Sequence, residues 1–261
     1  VVGTWVAAWP EVRERRGRAY WPHVARTDAK GRFEVVGLRP RAYRFRFVAK
    51  GYVVSVRRDV PAPGPHLSVT LAATQELRGK VVFEDRPVAG AEVVVAGSGL
   101  WPARRVQSDA KGTFVFKGIP PGIYELSAGK GDLASRVLMG LEVSEEPHAQ
   151  PVVLTLERGV RVRVKVIGRA TGKPVARARV MVGHGALTVA ARKGTSDDEG
   201  VVELQGVLPG SYFLSVEKYG FLPVVSRPIS VSEAEARAQA LEREKKRQED
   251  EGEKPGAGDG G

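Results

Sequence analysis

No cysteine occurs in the 261 residues, which excludes disulfides, thiolate metal ligands and a cysteine nucleophile. Asparagine is missing as well, so the chain has no N-glycosylation acceptor. Apolar runs are short: the longest, such as Pro151 to Leu156, reach six residues, against the ~18 that a bilayer span requires. No charged segment followed by an apolar core and a small-residue cleavage site opens the sequence. None of His23, His66, His148 and His184 is followed three residues later by Glu, and neither a Gly-x-Ser-x-Gly elbow nor a phosphate-binding Gly-rich loop is found. These absences argue against catalysis and leave no residue set for a cofactor or catalytic metal.

What is present is alternation. In Val160 to Ile167 (VRVRVKVI) the valines fall on one face and Arg161, Arg163 and Lys165 on the other, the pattern of a strand with one dry face. The same reading fits Tyr43 to Phe47 and Leu67 to Leu71, and Gly, Pro and Asp clusters punctuate such runs about every eight to twelve residues. Before Ser232 no helical periodicity persists, so the fold class is all-β.

The stretch TDAKGRFEVVGLRPRAYRFRF (Thr27 to Phe47) returns as SDAKGTFVFKGIPPGIYELSA (Ser108 to Ala128) and as SDDEGVVELQGVLPGSYFLSV (Ser196 to Val216). Three repeats follow, at residues 1–74, 75–157 and 158–231, with a charged tail at 232–261. The middle repeat predicts strands near Leu77–Phe83, Ala91–Ala96, Arg104–Gln107, Thr113–Phe116, Ile123–Ala128, Leu133–Leu138 and Val152–Leu156, seven in the manner of a small Greek-key sandwich. The third supplies equivalents from Val160 to about Val231. In the first, Gly3 to Trp9 (GTWVAAW) matches the second strand, AEVVVAG, so its opening strand is expected before Val1. Within each repeat, Asp28 with Gly31, Asp109 with Gly112 and Asp197 with Gly200 fit type I turns, the Asp accepting backbone hydrogen bonds and the Gly taking a conformation costly for other residues. Calcium is the sharper alternative, since Asp197, Asp198 and Glu199 are consecutive acids. Against it, calcium wants six to eight oxygens, and Lys30 and Lys111 stand where a further acid would help.

The segments Gly79 to Val95 (GKVVFEDRPVAGAEVVV), Ser108 to Ala128 and their third-repeat counterparts resemble the carboxypeptidase regulatory-like domain. The resemblance implies a tandem array of three seven-stranded, transthyretin-like (prealbumin-like) sandwiches, the first lacking its opening strand. It also implies a non-catalytic module of an exported bacterial protein, joined to flanking domains of a longer parent and placed in the periplasm, on the outer surface or outside the cell. Related active families are not matched. The Tyr-Arg-Gly-Ser type motif of hydroxyisourate hydrolases is missing, and the Lys to Asn isopeptide bond of collagen-adhesin B-type domains has no Asn to form on. Arg41 stands where Gly122 and Gly210 stand in the other repeats.

Two features suit binding. Trp9, Trp21 and Trp101 each precede a Pro between the second and third strands, and a Trp held there offers a stacking face for a sugar ring; capping of an open sandwich end is the plainer use. Arg161, Arg163, Lys165, Arg177 and Arg179 form a basic face if the two strands carrying them pair across GRATGKP, like charges then lying opposite unless an anion covers them. The whole chain carries +11, with 28 Arg against 13 Lys, and residues 1–231 hold 35 basic against 21 acidic side chains. Such a face attracts acidic polysaccharide or lipopolysaccharide, whereas Arg-rich codon usage accounts for it without any ligand. No recognition helix or RNA-binding aromatic motif points to nucleic acid. The tail, with Ser232 and Glu235 as a capping box, predicts a solvated helix to about Glu251 and a disordered end. Joints between repeats contain no flexible linker, which predicts a semi-rigid rod.

Overall fold

Alternating strands satisfy their backbone groups only through neighbours, and every regular element among the described residues is a β-strand. The computed structural model describes residues 1–11, 21–146, 150–183, 190–226 and 228–232. The tail helix expected after Ser232 lies outside the described residues, as do His148 and His184. The chain divides into two compact units. One comprises Val1–Arg78, Val115–Ile123 and Glu142–Gln150, the other Gly79–Phe114, Tyr124–Leu141 and the chain from Pro151 onward.

In the first unit β1 (Trp5–Pro10), β2 (His23–Arg26), β3 (Arg41–Val48) and β4 (Ser55–Ala62) form an antiparallel sheet in the order β2-β1-β3-β4. Val6, Ala8, Tyr43, Phe45 and Phe47 point inward and are buried together. The alternating segment Tyr43 to Phe47 is strand as expected, but Leu67 to Leu71 is not: Leu67, Val69 and Leu71 pack against the core without a ladder. Their counterparts in the middle repeat are laddered to its first strand, and no described residue of the first repeat takes that place.

Register also corrects the sequence match for β1. Val6 lies opposite Phe47 as Val93 lies opposite Ala128, so Val6 corresponds to Val93, one residue away from the alignment of GTWVAAW with AEVVVAG. One residue is enough to exchange the faces of a strand. Trp5 accordingly points outward while Val6 and Ala8 fill the core.

The middle repeat holds β5 (Gln75–Phe83), β6 (Arg86–Pro87), β7 (Glu92–Gly97), β8 (Leu100–Gln107), β9 (Thr113–Ile119), β10 (Gly122–Lys130), β11 (Leu133–Ser135), β12 (Leu138–Val143) and β13 (Val152–Arg158). Its strand order is β6-β5-β13-β11-β10-β7-β8, with β9 on β5 and β12 on β10. The β5–β13 pair is parallel, Gly79 opposite Val152 and Val81 opposite Leu154, and the other registered pairs are antiparallel. The single strand expected over Leu133–Leu138 is broken after Ser135. There the Ser135 hydroxyl accepts the Ala128 N–H at 2.8 Å, replacing a ladder carbonyl and releasing the chain to β12.

The third repeat holds β14 (Val160–Lys165), β15 (Arg179–Gly183), β16 (Arg192–Thr195), β17 (Val201–Val207), β18 (Gly210–Glu217), β19 (Val224–Val225) and β20 (Ile229–Val231). One sheet is β14-β17 and the other β16-β15-β18-β19, with β20 on β18. Val160, Val180, Val182, Val202, Leu204, Val207 and Tyr212 make the core between them. A counterpart of β13 is not among the described residues.

Candidate functional site

The repeated acidic turns resolve into backbone architecture. Asp28, Asp109 and Asp197 each donate an N–H to the carbonyl four residues on, at 2.8 Å, and each accepts at its own carbonyl the N–H of Gly31, Gly112 or Gly200 at 2.9–3.0 Å. The carboxylates accept from main-chain donors too: Asp28 Oδ1 from Lys30 and Arg32, Asp109 Oδ1 from Lys111 and Thr113, Asp197 Oδ1 from Val201. Each glycine sits at φ of +71° to +74°, where a side chain is strained. The Arg32 N–H holds the Asp28 carboxyl below its ordinary value, with smaller help from the Lys30 N–H and the Arg32 side chain and some opposition from desolvation. These oxygens serve the turn.

The residue before each Asp escaped the sequence reading. Ser108 Oγ donates to the Val88 carbonyl at 2.6 Å and accepts the Ala91 N–H at 2.9 Å; Ser196 repeats this with Val175 and Ala178, and Thr27 with Val1 and Thr4. The recurrent Thr/Ser-Asp pair was its only sequence signal. Ser108→Ala leaves a buried N–H and C=O unpaired, an expected loss of about 2 kcal/mol in urea-unfolding stability.

Of the tryptophans, Trp9 lies inside β1, half-buried, with the Arg44 guanidinium 5.7 Å from its ring centroid. Trp101 lies in β8 beside the tight Ser98–Gly99 turn rather than in a loop, and is 91% exposed. Trp21 stands just before β2 and is 89% exposed. Trp9 and Trp21 belong to one unit and Trp101 to the other.

The basic residues are separated by the fold. β14, with Arg161, Arg163 and Lys165, pairs with β17, not with β15; across GRATGKP only the bridge Ile167–Pro174 forms. Arg163 faces Glu203, Arg161 approaches Glu203 at 3.5 Å, and Arg179 lies opposite Glu217 at 3.7 Å. Arg177 and Arg179 are on the side of the other sheet. The expected opposition of like charges does not occur, because β14 and β15 lie in different sheets, and its argument for a covering anion falls with it.

A site that the sequence did not single out lies where the middle and third repeats meet. Gly159 alone separates β13 from β14 and donates to the Asp132 carbonyl at 2.8 Å. Arg192, at the start of β16, is largely buried; its Nε donates to the Gly206 carbonyl and its guanidinium to the Leu133 carbonyl, both at 3.0 Å. Burial pushes this guanidinium below its ordinary value, against the opposing pull of Glu92 and Tyr212, yet Arg stays cationic at any physiological pH. Its planar end lies on Gly129, where a Cβ would approach it to 2.6 Å. Beside it opens a cleft of about 640 Å³, lined among others by Arg136, Met139, Val207, Pro209 and Tyr212. Arg136 is paired with Glu157 at 3.0 Å, and Tyr212 donates to the Leu208 carbonyl at 2.6 Å. The arrangement holds two repeats together with fixed donors; among the described residues no group of three or more His, Asp or Glu side chains is placed to hold a metal.

The family described as carboxypeptidase regulatory-like domain matches residues 76–157 and 161–242. No curated protein matches. Among solved structures, the TIE protein of Bacillus anthracis is 16% identical over 89% of this chain and 46% of its own, with a TM-score of 0.29. This chain therefore spans about half of that one. The minor pilin GBS52 of Streptococcus agalactiae is 12% identical over 65% of this chain and 87% of its own (TM-score 0.34). The shaft pilin SpaA of Lactobacillus rhamnosus GG is 12% identical over 61% and 95% (TM-score 0.26).

Proposed function

Because the chain belongs to the carboxypeptidase regulatory-like domain family, we propose that it is a non-catalytic structural and interaction segment of an exported bacterial protein, with the middle and third repeats acting as one semi-rigid spacer between flanking domains. The observation that carries this reading is the joint: one glycine of connection, with a partly buried arginine bonded to carbonyls of both repeats. Native-state hydrogen exchange tests it. The Gly159 amide is expected to exchange as slowly as the amides of β13 and β14; exchange at loop rates would sink the spacer reading.

Exposure of Trp21 and Trp101 favours a second reading, carbohydrate binding by stacking. It predicts retention of the protein on an insoluble polysaccharide, unaffected by salt and lost in Trp21→Ala/Trp101→Ala. Retention that disappears in salt assigns the interaction to basic residues instead.

A further inference from the structure

Arg192 holds the joint with only part of its capacity. A guanidinium carries five N–H donors; one goes to the Gly206 carbonyl and one to the Leu133 carbonyl, and the other three have no acceptor among the described residues. The cleft that Arg192 lines measures about 640 Å³, within the roughly 300–1,000 Å³ that small-molecule sites occupy. Both repeats build it: Met139 lines it from β12, and Val207, Leu208 and Pro209 line it from the end of β17 and the turn into β18. All its described lining residues belong to one compact unit.

The remaining polar groups of the lining are already engaged. Arg136 places its Nε and one terminal nitrogen on Glu157 at 3.0 and 3.4 Å. Ser135 accepts the Ala128 N–H, and Tyr212 donates to the Leu208 carbonyl. Burial raises the Tyr212 phenol above its ordinary value, and the pull of Arg136 and then Arg192 opposes this, so positive charge surrounds the cleft. Glu125 is the one acid among the described lining residues. A ligand with a single negative charge is matched to Arg192, whereas a second charge would be repelled by Glu125.

We propose that this cleft binds a small monoanion, a carboxylate carried on an apolar body, with the carboxylate on the open N–H groups of Arg192 and the body along Met139, Val207 and Pro209. A planar guanidinium fork suits a planar carboxylate. Partial burial has already stripped water from that fork, so the pair forms in a medium where it is stronger than at the open surface. The apolar wall accounts for the rest of the affinity by removing the ligand body from water.

The test uses the full chain and decanoate below its micelle-forming concentration, followed by the methyl signals of the two methionines, Met139 and Met181. Met181 precedes the lining residue Val182 on β15 and so points to the opposite face of that strand. A saturable shift of the Met139 methyl is expected, with Met181 unmoved. Decanol and decylamine, which lack the negative charge, are expected to bind at least about tenfold more weakly by calorimetry. Met139 is exposed, so its replacement leaves the fold intact: Met139→Asp is expected to weaken decanoate at least about tenfold and Met139→Leu to bind as the parent does. No saturable shift, a Met181 shift as large as that of Met139, decanol bound as tightly as decanoate, or undiminished binding by Met139→Asp would each overturn the proposal. Because the cleft has walls from both repeats, the inference rests on the joint described above. Slow exchange at Gly159 without decanoate binding defeats the ligand site alone, whereas exchange at loop rates defeats the joint itself.

Discussion

Replacing Gly159 by valine is expected to lower the stability of the unit that holds β13, β14 and β17 by about 3 kcal/mol. The site allows no escape, because what a side chain meets there is main chain. A Cβ at Gly159 overlaps the carbonyl carbon of Gly206 and would lie 2.6 Å from its Cα and 2.7 Å from the Val207 nitrogen. Relief requires either moving β17 away from β14 or swinging the connection outward. The second route breaks the Gly159 N–H bond to the Asp132 carbonyl, and both disturb the register that seats Val160 and Val207 in the core. Alanine, which brings the same Cβ without the branches, is expected to cost less but still more than the ordinary penalty of a surface substitution. Urea midpoints of the three proteins, read by tryptophan-independent circular dichroism, check the order Gly, Ala, Val.

Arg192→Met is expected to cost about 2–4 kcal/mol and to separate the unfolding of the two repeats. Methionine fills a similar length but donates nothing, so the Gly206 and Leu133 carbonyls lose the guanidinium that links them. Those carbonyls belong to different repeats, and the penalty therefore falls on their association. The intact protein is expected to unfold the two repeats in one calorimetric transition, and the variant in two. Arg192→Lys is expected to rescue little, since a single ammonium cannot reproduce a planar fork that reaches two carbonyls while lying flat on Gly129. A Lys variant as stable as the parent would show that charge alone holds the joint.

Strand positions were legible wherever one face is dry. The alternation of Val160 to Lys165 and of Tyr43 to Phe47 and the TDAKG-type turns reappear as β14, β3 and hydrogen-bonded turns. The pairing of β14 was not legible, because alternation along a strand does not say whether the next strand pairs with it or, as β15 does, passes to the other sheet. Arg161 to Lys165 and Arg179 look adjacent in the chain, yet they face Glu203 and Glu217 across separate ladders. Leu67 to Leu71 reads as a strand from its own residues, but a ladder needs a neighbour that those residues do not supply.

The joint was invisible for another reason. Arg192 is one arginine among 28, in a segment (ARKGT) with no periodic signal, and only its place against Gly129 and Gly206 distinguishes it. Gly206 occupies the same position as Gly37 and Gly118, all at positive φ, so its recurrence in each repeat concealed its use as a contact surface. Of the tryptophans singled out from sequence, Trp21 and Trp101 are exposed, but Trp9 is half-buried within β1 and Trp101 lies in β8, seats that the sequence did not show.

The account turns on the middle and third repeats being one semi-rigid body, and the absence of cysteine makes this directly measurable. Thr155→Cys on β13 and Ser211→Cys on β18, both exposed, place one spin label on each repeat of the full chain. Double electron–electron resonance is expected to give a single narrow distance distribution, which broadens when Arg192→Met is added. A broad distribution in the otherwise unaltered chain would contradict the account, since it would mean that the repeats turn freely about Gly159.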